Sequence, residues 1–312
     1  MTSKPPGNTA PLAHRLRVLA TGVSGRMGRQ VVAAVRAAPD LELCGAVSRS
    51  FGGPTERGRD ASVGSASALE AELRSAGVRT FSDLAEALGD LDPDVLVDFT
   101  SAEVAPGYLH SALSAGVPVV SGTTGLDETV LAGLRETAER MGLGAAIIPN
   151  FSLGAMVMAI LARTAAPYFK AAEIVELHHD RKKDAPSGTA LALARTVAAS
   201  LGKQTPNEPE SAAPLVAAGD ERPPVREVKT APTHAEARGL DVHGVPVHSV
   251  RLSGLVAHHE LIFASDGETL TVRHDSVSRS SFMPGVLLAV RTVPRLTGLV
   301  TSLEELVNLA RA

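Results

Sequence analysis

The stretch Leu-Arg-Val-Leu-Ala-Thr-Gly-Val-Ser-Gly-Arg-Met-Gly, residues 16–28, decides the fold of the first half of this chain. Its apolar start, residues 16–21, predicts a strand that Gly22 closes, and a helical apolar pattern follows in residues 31–35 and stops at Pro39. The spacing G-x-x-G-x-x-G is a variant of the usual G-x-G-x-x-G, and glycines alone often only make a tight turn. Between a strand and a helix, however, they let the backbone approach a pyrophosphate, so the context favours dinucleotide binding.

Further apolar segments alternate with helical intervals along the first 150 residues. We interpret these segments as strands at residues 41–47, 95–99, 117–120 and 145–148. This alternation predicts an α/β fold with a doubly wound parallel sheet of the Rossmann type, covered by helices on both faces. Residues 51–77 are rich in Gly, Ser and Ala and are expected to form a loop and a short helix.

The end of the second predicted strand bears on cofactor choice. A fold that prefers NAD carries an Asp or Glu there, which holds the ribose 2′-OH. Here Ser48 and Arg49 occupy that position, and Arg26 projects from the glycine turn. A hydroxyl and guanidinium groups suit a 2′-phosphate better, so the sequence predicts that NADPH is preferred and NADH is possible. Alternatively, Arg49 only stacks on adenine and either cofactor binds.

Small residues with hydroxyl or amide groups recur at the carboxyl ends of three predicted strands. They lie in residues 98–100, 121–125 and 149–152. Ligands of open parallel sheets bind at these ends. One such end would be ordinary turn chemistry, but the three together favour a site around a nicotinamide.

A second group of reactive side chains is concentrated in residues 176–190, Glu-Leu-His-His-Asp-Arg-Lys-Lys-Asp-Ala-Pro-Ser-Gly-Thr-Ala, which we call the histidine loop. A predicted strand precedes it, and a helix begins near Thr189. Imidazoles, cationic side chains and the N–H groups of a helix start converge there. The loop therefore suits a small dicarboxylate and holds candidates for proton transfer, although a charged loop is more often only solvated.

The second half of the chain predicts a second, α+β domain. An apolar helix at residues 153–165 leads into the strand before the histidine loop, and three further strands follow at residues 247–252, 260–264 and 269–274. Asp266-Gly267 is a hairpin signal between the last two strands. With the strand before the histidine loop, they predict a four-stranded mixed sheet.

Between and after these strands the pattern changes. Residues 203–245 lack periodicity and are rich in Pro, Glu, Gly and Ala, which predicts a long excursion from the second domain. From Pro284 the pattern is helical again, and Ser302 is expected to cap a last helix over residues 303–310.

Composition excludes several classes of protein. With 312 residues, 44% of them hydrophobic, and a net charge of −4, the chain reads as a globular protein with no reason to bind nucleic acid or an acidic membrane surface. Cys44 is the single cysteine and is expected to be a buried thiol in a reducing compartment. Residues 1–14 lack the apolar core of a signal peptide and predict a disordered tail, so we expect a cytoplasmic protein.

Taken together, these segments resemble the 4-hydroxy-tetrahydrodipicolinate reductases, once called dihydrodipicolinate reductases, of the bacterial and plant lysine and diaminopimelate pathway. The resemblance runs from about Leu16 to the end of the chain and is most specific in the histidine loop. Residues 248–258 and 273–285 also match, and the loops at residues 25–28 and 122–125 support the resemblance.

The resemblance implies that hydride passes from NAD(P)H to a cyclic, unsaturated dicarboxylate and gives tetrahydrodipicolinate. It implies that His178 is the general acid or base and Lys182 a proton donor, and that His179, Gly188 and Thr189 bind substrate. It also implies a homotetramer built on the sheet of the second domain. The implied cofactor contacts are Gly22, Val23, Ser24, Gly25, Arg26, Met27, Ser48, Arg49, Gly122, Thr123, Thr124, Ile148, Pro149, Asn150 and Phe151.

The implied domains are residues 15–150 with 283–312 for the dinucleotide and residues 151–282 for substrate and oligomerisation. Arg181 and Lys183 are interpreted as solvated charges. No metal is expected, because the spacing of the remaining histidines of the second half matches no ligand pattern. These are His243, His248, His258, His259 and His274.

Two alternatives remain open. Another two-domain NAD(P) oxidoreductase is possible, but a semialdehyde dehydrogenase needs a reactive thiol, and Cys44 lies on a predicted strand of the cofactor domain. A cofactor-binding redox regulator without turnover needs no acid–base pair, whereas His178 and Lys182 are both present.

Overall fold

The computed structural model describes residues 15–52, 61–202 and 237–311. Its strands are β1 Leu16–Thr21, β2 Leu41–Val47, β3 Arg79–Phe81, β4 Val95–Asp98, β5 Val119–Ser121, β6 Gly144–Ile147, β7 Ala171–His178, β8 Leu240–Val242, β9 Val245–Arg251, β10 Ala257–Ser265, β11 Glu268–Ser276 and β12 Gly298–Val300. Its α-helices are α1 Arg26–Ala37, α2 Ala61–Ser75, α3 Leu84–Asp90, α4 Ala105–Ser114, α5 Glu128–Met141, α6 Leu153–Ala165, α7 Gly188–Ser200, α8 Met283–Thr292 and α9 Leu303–Arg311. The predicted tail of residues 1–14 lies outside these ranges, and so do residues 203–236 of the excursion predicted over residues 203–245. The rest of that predicted excursion contains β8 and the first residue of β9, so it is partly strand.

The first sheet is parallel throughout and has seven strands in the order β12-β6-β5-β4-β1-β2-β3. The chain reverses its direction of winding between β1 and β4, where Thr21 lies opposite Asp98. Ligands of doubly wound sheets bind in the crevice at such a reversal. The predicted Rossmann-type sheet is therefore confirmed, and its crevice lies next to the glycine turn.

Helices cover both faces of this sheet because successive strand residues point to opposite sides. Val18 and Ala20 pack with residues of α1, α2, α8 and α9. Leu19 packs with residues of α3, α4 and α5. The helical pattern predicted after the glycine turn is the buried side of α1, to which Val31 and Val35 belong.

Short elements account for most differences from the prediction in this sheet. The segment after Pro284 contains β12, which pairs with β6 through Gly298 opposite Gly144, whereas the sequence predicts only helix there. Residues 51–77 contain a 15-residue helix, longer than the short helix expected, and β3 follows it. β3 and β12 have three residues each, too few for a measurable period, and neither lies in a longer apolar run of the kind that indicates β5.

The second sheet is mixed and has five strands in the order β11-β10-β7-β9-β8. The central strand β7 is parallel to β9 and antiparallel to β10. The four predicted strands are present and the hairpin at Asp266-Gly267 is confirmed, but β8 corrects the predicted strand count. β8 is joined to β9 by a two-residue turn in which His243 and Gly244 have φ of 54° and 80°, the backbone that tight hairpins require.

Helices α6 and α7 cover one face of the second sheet. Ile174 and Phe263 form the core there with residues of both helices. The buried positions of β7 alternate, as a strand with one covered face requires, and they continue into Glu176 and His178. The apolar core therefore ends in two buried ionisable side chains. Across the described ranges, no helix is long and apolar enough to span a membrane.

Candidate active site

The glycine turn joins β1 to α1 at the crevice. A Cβ atom on Gly22, which has φ of 70°, would lie 2.4 Å from the carbonyl oxygen of Phe99, and one on Gly28 would lie 2.1 Å from that of Gly22. Only glycine fits at either position. Gly25 is the N-cap of α1, and a glycine has no side chain to cap the N–H groups of the first turn. The turn thus has the close backbone and the uncapped helix start that bind a pyrophosphate.

The end of β2 is linked to this turn by hydroxyl groups. Ser48 is buried, and its Oγ donates to Ser24 Oγ over 3.1 Å and lies 2.8 Å from Ser50 Oγ. Arg49 and Arg26 are exposed. The guanidinium groups predicted to meet a 2′-phosphate therefore lie on the surface, whereas Ser48 connects two loops of the protein.

The buried carboxylate of Asp98 ties together the ends of three strands. It accepts hydrogen bonds from the hydroxyls of Thr21 and Thr100, both over 2.7 Å, of Thr123 over 2.8 Å, and of Ser121 over 2.9 Å. Three of these hydroxyls belong to the strand ends where the sequence predicts a nicotinamide site. In the structure these three groups donate to Asp98 and join the ends of β4 and β5, and the fourth donor, Thr21, adds the end of β1.

Aromatic rings fill the space between the loops that follow β4, β5 and β6. The rings of Phe99 and Phe151 lie 6.0 Å apart between centroids. A Cβ atom on Gly122 would lie 2.1 Å from the ring of Phe99, so this glycine lets the β5 loop pass over the ring. Ile148 is buried, and Asn150 Oδ1 accepts from the N–H of Ser152 over 2.9 Å.

Glu176 organises the histidine loop from inside the protein. Its carboxylate is fully buried and accepts two hydrogen bonds from Arg251, over 2.7 and 3.0 Å, and one from the Ser187 N–H over 3.2 Å. It also contacts Nδ1 of His178. Burial raises the pKa of Glu176, but hydrogen bonds from His178, Arg251 and Ser249 outweigh it and lower the pKa to about 2. The carboxylate is ionised, so Nδ1 of His178 is a donor.

His259 lies behind His178. The two rings meet edge to face with centroids 5.5 Å apart, and Nε2 of His259 lies 3.3 Å from Oγ of Ser187. The same Oγ caps α7 by accepting from the Ala190 N–H. Burial and the neighbouring His178 lower the pKa of His259 to about 3, so His259 is neutral. It belongs to the packing of the second sheet, where it is buried.

Lys182 lies at the outer side of the loop. Its Nζ is 2.7 Å from both carboxylate oxygens of Asp184. The carbonyl oxygen of Asp184 accepts from Arg251 over 2.7 Å. Arg251 therefore connects the loop segment that carries Lys182 to the carboxylate that contacts His178. Lys183 and Arg181 are exposed, as predicted.

His179 lies where the histidine loop approaches the glycine turn. Burial, and then the positive charges of Arg181, Arg279 and Arg26, lower the pKa of its imidazole. Its Nδ1 is buried without a hydrogen-bond partner among the described residues. These arginines come from the histidine loop, a 3₁₀ helix at Arg279–Phe282 and the start of α1. The sequence prediction missed Arg279, although it lies in the matching stretch of residues 273–285.

Three of the other histidines have separate partners. His248 lies 3.0 Å from Glu173, His258 lies 2.7 Å from Asp275, and His274 lies 3.5 Å from Ser152 Oγ. Within the described ranges there is no group of three or more side chains that could hold a metal ion. Cys44 is buried as expected, and burial raises the pKa of its thiol to about 11, which makes it a poor nucleophile.

Comparison with known proteins places this architecture in one family. The family model "Dihydrodipicolinate reductase, N-terminus" matches residues 16–151, and "Dihydrodipicolinate reductase, C-terminus" matches residues 154–307. The 4-hydroxy-tetrahydrodipicolinate reductase of Geobacillus thermodenitrificans is 40% identical over 94% of this chain and 99% of its own. The 4-hydroxy-tetrahydrodipicolinate reductase of Moorella thermoacetica is 42% identical over 94% of this chain and 98% of its own.

A solved structure agrees with these matches. The dipicolinate-bound dihydrodipicolinate reductase from Paenisporosarcina sp. TG-14 is 31% identical, covers 93% of this chain and 99% of its own, and superposes with a TM-score of 0.70. The glycine turn, the five-stranded sheet and the histidine loop thus occur together in a chain that matches over nearly its whole length. The protein belongs to the dihydrodipicolinate reductase family, whose curated members are named 4-hydroxy-tetrahydrodipicolinate reductases.

Proposed function

We propose that the protein reduces 4-hydroxy-tetrahydrodipicolinate (dihydrodipicolinate) to tetrahydrodipicolinate with hydride from NAD(P)H, in the diaminopimelate route to lysine. The observation that carries the proposal is the position of His178. A buried, ionised carboxylate holds this histidine at the end of the second core. The histidine loop, which continues from there, approaches the glycine turn. The relative that binds dipicolinate supports a cyclic dicarboxylate as the substrate class.

His178 and Lys182 supply protons in this proposal. Hydride transfer to a conjugated C=C–C=N system places electron density on carbon or nitrogen, which must then be protonated. Nδ1 of His178 is bonded to Glu176, so Nε2 is the atom left to exchange a proton with substrate. Lys182 adds positive charge that favours an anionic transition state.

The substrate carboxylates are proposed to bind His179 and the start of α7 at Gly188 and Thr189. A helix start favours anions, and Ser187 caps only one N–H of this turn through its side chain. The arginines around His179 add positive charge at the same end of the loop.

Substitution of the two proton donors tests this assignment. His178→Gln and Lys182→Met are each expected to lower kcat by about two to four orders of magnitude, the usual contribution of a general acid or base. Lys183→Met is the matched control, because Lys183 is the exposed neighbour of Lys182. Near-wild-type turnover in either of the first two variants would remove that residue from the mechanism.

We further propose that the cofactor lies over the glycine turn and the loops after β5 and β6, with NADPH preferred. The support is the exposed pair Arg26 and Arg49 beside Ser48, and the lack of an acidic residue at the end of β2. A coupled assay in which dihydrodipicolinate synthase supplies fresh substrate, followed with NADPH and NADH separately, measures the preference. We expect kcat/KM to be higher with NADPH than with NADH. A value of kcat/KM with NADPH below that with NADH would contradict the assignment.

The same assay separates catalysis from regulation. Tight NADPH binding without NADPH oxidation in the presence of fresh substrate would identify a cofactor-binding regulator instead. Oxidation at enzyme-like rates, abolished in His178→Gln, is the expected result.

For the domains, we propose residues 15–150 with 283–312 around the first sheet and residues 151–282 around the second. The pairing of β12 with β6 supports the return of the chain to the first sheet. We also propose a cytoplasmic homotetramer formed on the face of the second sheet opposite α6 and α7. Half-buried apolar residues on that face, Val175, Leu177 and Ile262, support this, and light scattering should give four times the mass of one chain.

A further inference from the structure

Two glutamates on β7 each have an arginine and a histidine as partners, but they lie on opposite faces of the second sheet. Glu173 contacts Arg238 and lies 3.0 Å from His248, on the partly exposed face of the sheet. Glu176 contacts His178 and Arg251 on the covered face and is completely buried. Burial of a charge costs free energy that its hydrogen bonds and ion pairs must offset, so the partners of Glu176 determine whether its burial is tolerated.

The hydrogen bonds of Glu176 fix the proton arrangement of His178. The carboxylate is an acceptor only, so the imidazole keeps its proton on Nδ1 and exchanges protons through Nε2. The N–H of Ser187 holds the other oxygen, and this residue begins the helix at which substrate carboxylates are proposed to bind. The orientation of the ring is therefore set by the same carboxylate that anchors the helix start.

Arg251 shares this carboxylate. Its two Nη atoms donate to the two oxygens of Glu176, and one of them also donates to the carbonyl oxygen of Asp184. The guanidinium competes with the imidazole for the same negative charge. It therefore moderates the attraction that Glu176 exerts on a protonated His178.

We propose that Glu176 is the positioning residue of His178 and holds the imidazole in its Nδ1–H tautomer, and that Arg251 shares the Glu176 carboxylate and limits its attraction for that imidazole. The proposal rests on the proposed role of His178 in proton transfer. Neither Glu176 nor Arg251 needs to touch the substrate. The charged and titratable groups near His178 are Glu176 on its own strand, Arg251 on β9, His259 on β10 and the adjacent His179.

The two partners predict opposite changes in the pH profile of kcat/KM. In Glu176→Gln the limb that reports loss of the His178 proton moves to lower pH, and kcat falls about 10- to 100-fold, as loss of an orienting partner behind a functional histidine typically does. In Arg251→Met the same limb moves to higher pH, because deprotonation of His178 would leave Glu176 as an uncompensated buried anion. Glu173→Gln, which removes a similar group on the other face, leaves the profile in place.

A direct readout comes from ¹⁵N NMR of the histidines in the full-length enzyme without substrate. Wherever the imidazole of His178 is neutral in wild type, its proton is expected on Nδ1, and Glu176→Gln is expected to show a mixture of tautomers. If Glu176→Gln does not fold, the shift to higher pH in Arg251→Met tests the proposal alone. Unchanged profiles in both variants, or an Nε2–H tautomer in wild type, would overturn it.

The outcome is separable from that of the proposed function. If His178→Gln keeps wild-type turnover, the assignment of His178 itself fails. If His178→Gln is inactive while Glu176→Gln and Arg251→Met keep the wild-type pH profile, only the positioning role is refuted.

Discussion

The glycine turn makes a sharp prediction, because the substitution Gly28→Ala adds a single carbon at a place with no room for it. That Cβ would lie 2.1 Å from the carbonyl oxygen of Gly22 and 2.7 Å from Cα of Val23. Ordinary contact begins at 3.4 Å, so α1 and the turn must separate by about 1.3 Å. The turn has no room to retreat, since the position of a Cβ on Gly22 is already within 2.4 Å of the Phe99 carbonyl oxygen.

Two consequences of Gly28→Ala are expected. Overpacking of this kind lowers the free energy of unfolding by about 1–3 kcal/mol, partly offset by the better helix propensity of alanine, worth about 1 kcal/mol. The proposed pyrophosphate site moves by about the same distance as the helix. A displacement of roughly 1 Å costs on the order of 100-fold in function, so we expect Kd for NADPH to rise by about that factor.

Calorimetric titration with NADPH and thermal unfolding measure the two effects. Gly107→Ala is the matched control, because Gly107 lies within α4 beside the same sheet and a Cβ there would have no atom within 4 Å. The control should bind NADPH like wild type and unfold at the same or a higher temperature. A folded Gly28→Ala variant whose Kd for NADPH stays within about twofold of wild type would refute the reasoning.

Two further predictions concern buried carboxylates. Asp98→Asn replaces an acceptor of four hydroxyl hydrogen bonds by an amide, whose nitrogen must itself donate. Urea unfolding should therefore show that the free energy of unfolding falls by about 1–3 kcal/mol. The control Asp127→Asn exchanges one good helix cap for another and should lower the free energy of unfolding very little. Folding lowers the pKa of Glu176 from its ordinary 4.5 to about 2. Above pH 4.5 the ionised carboxylate therefore contributes roughly 3 kcal/mol to the free energy of unfolding. This contribution is lost as the pH falls toward 2. The difference in unfolding free energy between wild type and Glu176→Gln should therefore shrink by about 2 kcal/mol between about pH 6 and pH 3, and a constant difference would contradict the assigned pKa.

Local sequence predicts several elements with the same first and last residues that the structure has. The predicted strands β1 and β2 and the helix α6 begin and end at the predicted residues. Their signals are local: an apolar run closed by glycine, or an apolar helix capped by Ser152. The apolar residues 143–162 are divided between β6 and α6, and Pro149 and Ser152 lie between these two elements.

Other elements exist only because of tertiary pairing. β3, β8 and β12 each have three residues, too few for a periodic pattern. β12 forms because β6 offers it an edge, and β8 because the turn at His243-Gly244 folds it back on β9. A distant partner strand, which a local window does not contain, decides β3 and β12, whereas β8 pairs with β9, its neighbour in the chain.

The sequence by itself determined where glycines and ionisable side chains are concentrated, because the spacing of the glycines and the composition of the histidine loop are properties of adjacent residues. Only the tertiary structure decided their partners. Arg251 reaches Glu176 across 75 residues of chain, and Thr123 meets Asp98 across 25. Such contacts depend on strand register and on the need of every buried polar group for a hydrogen bond, and both exist only once the sheets have formed.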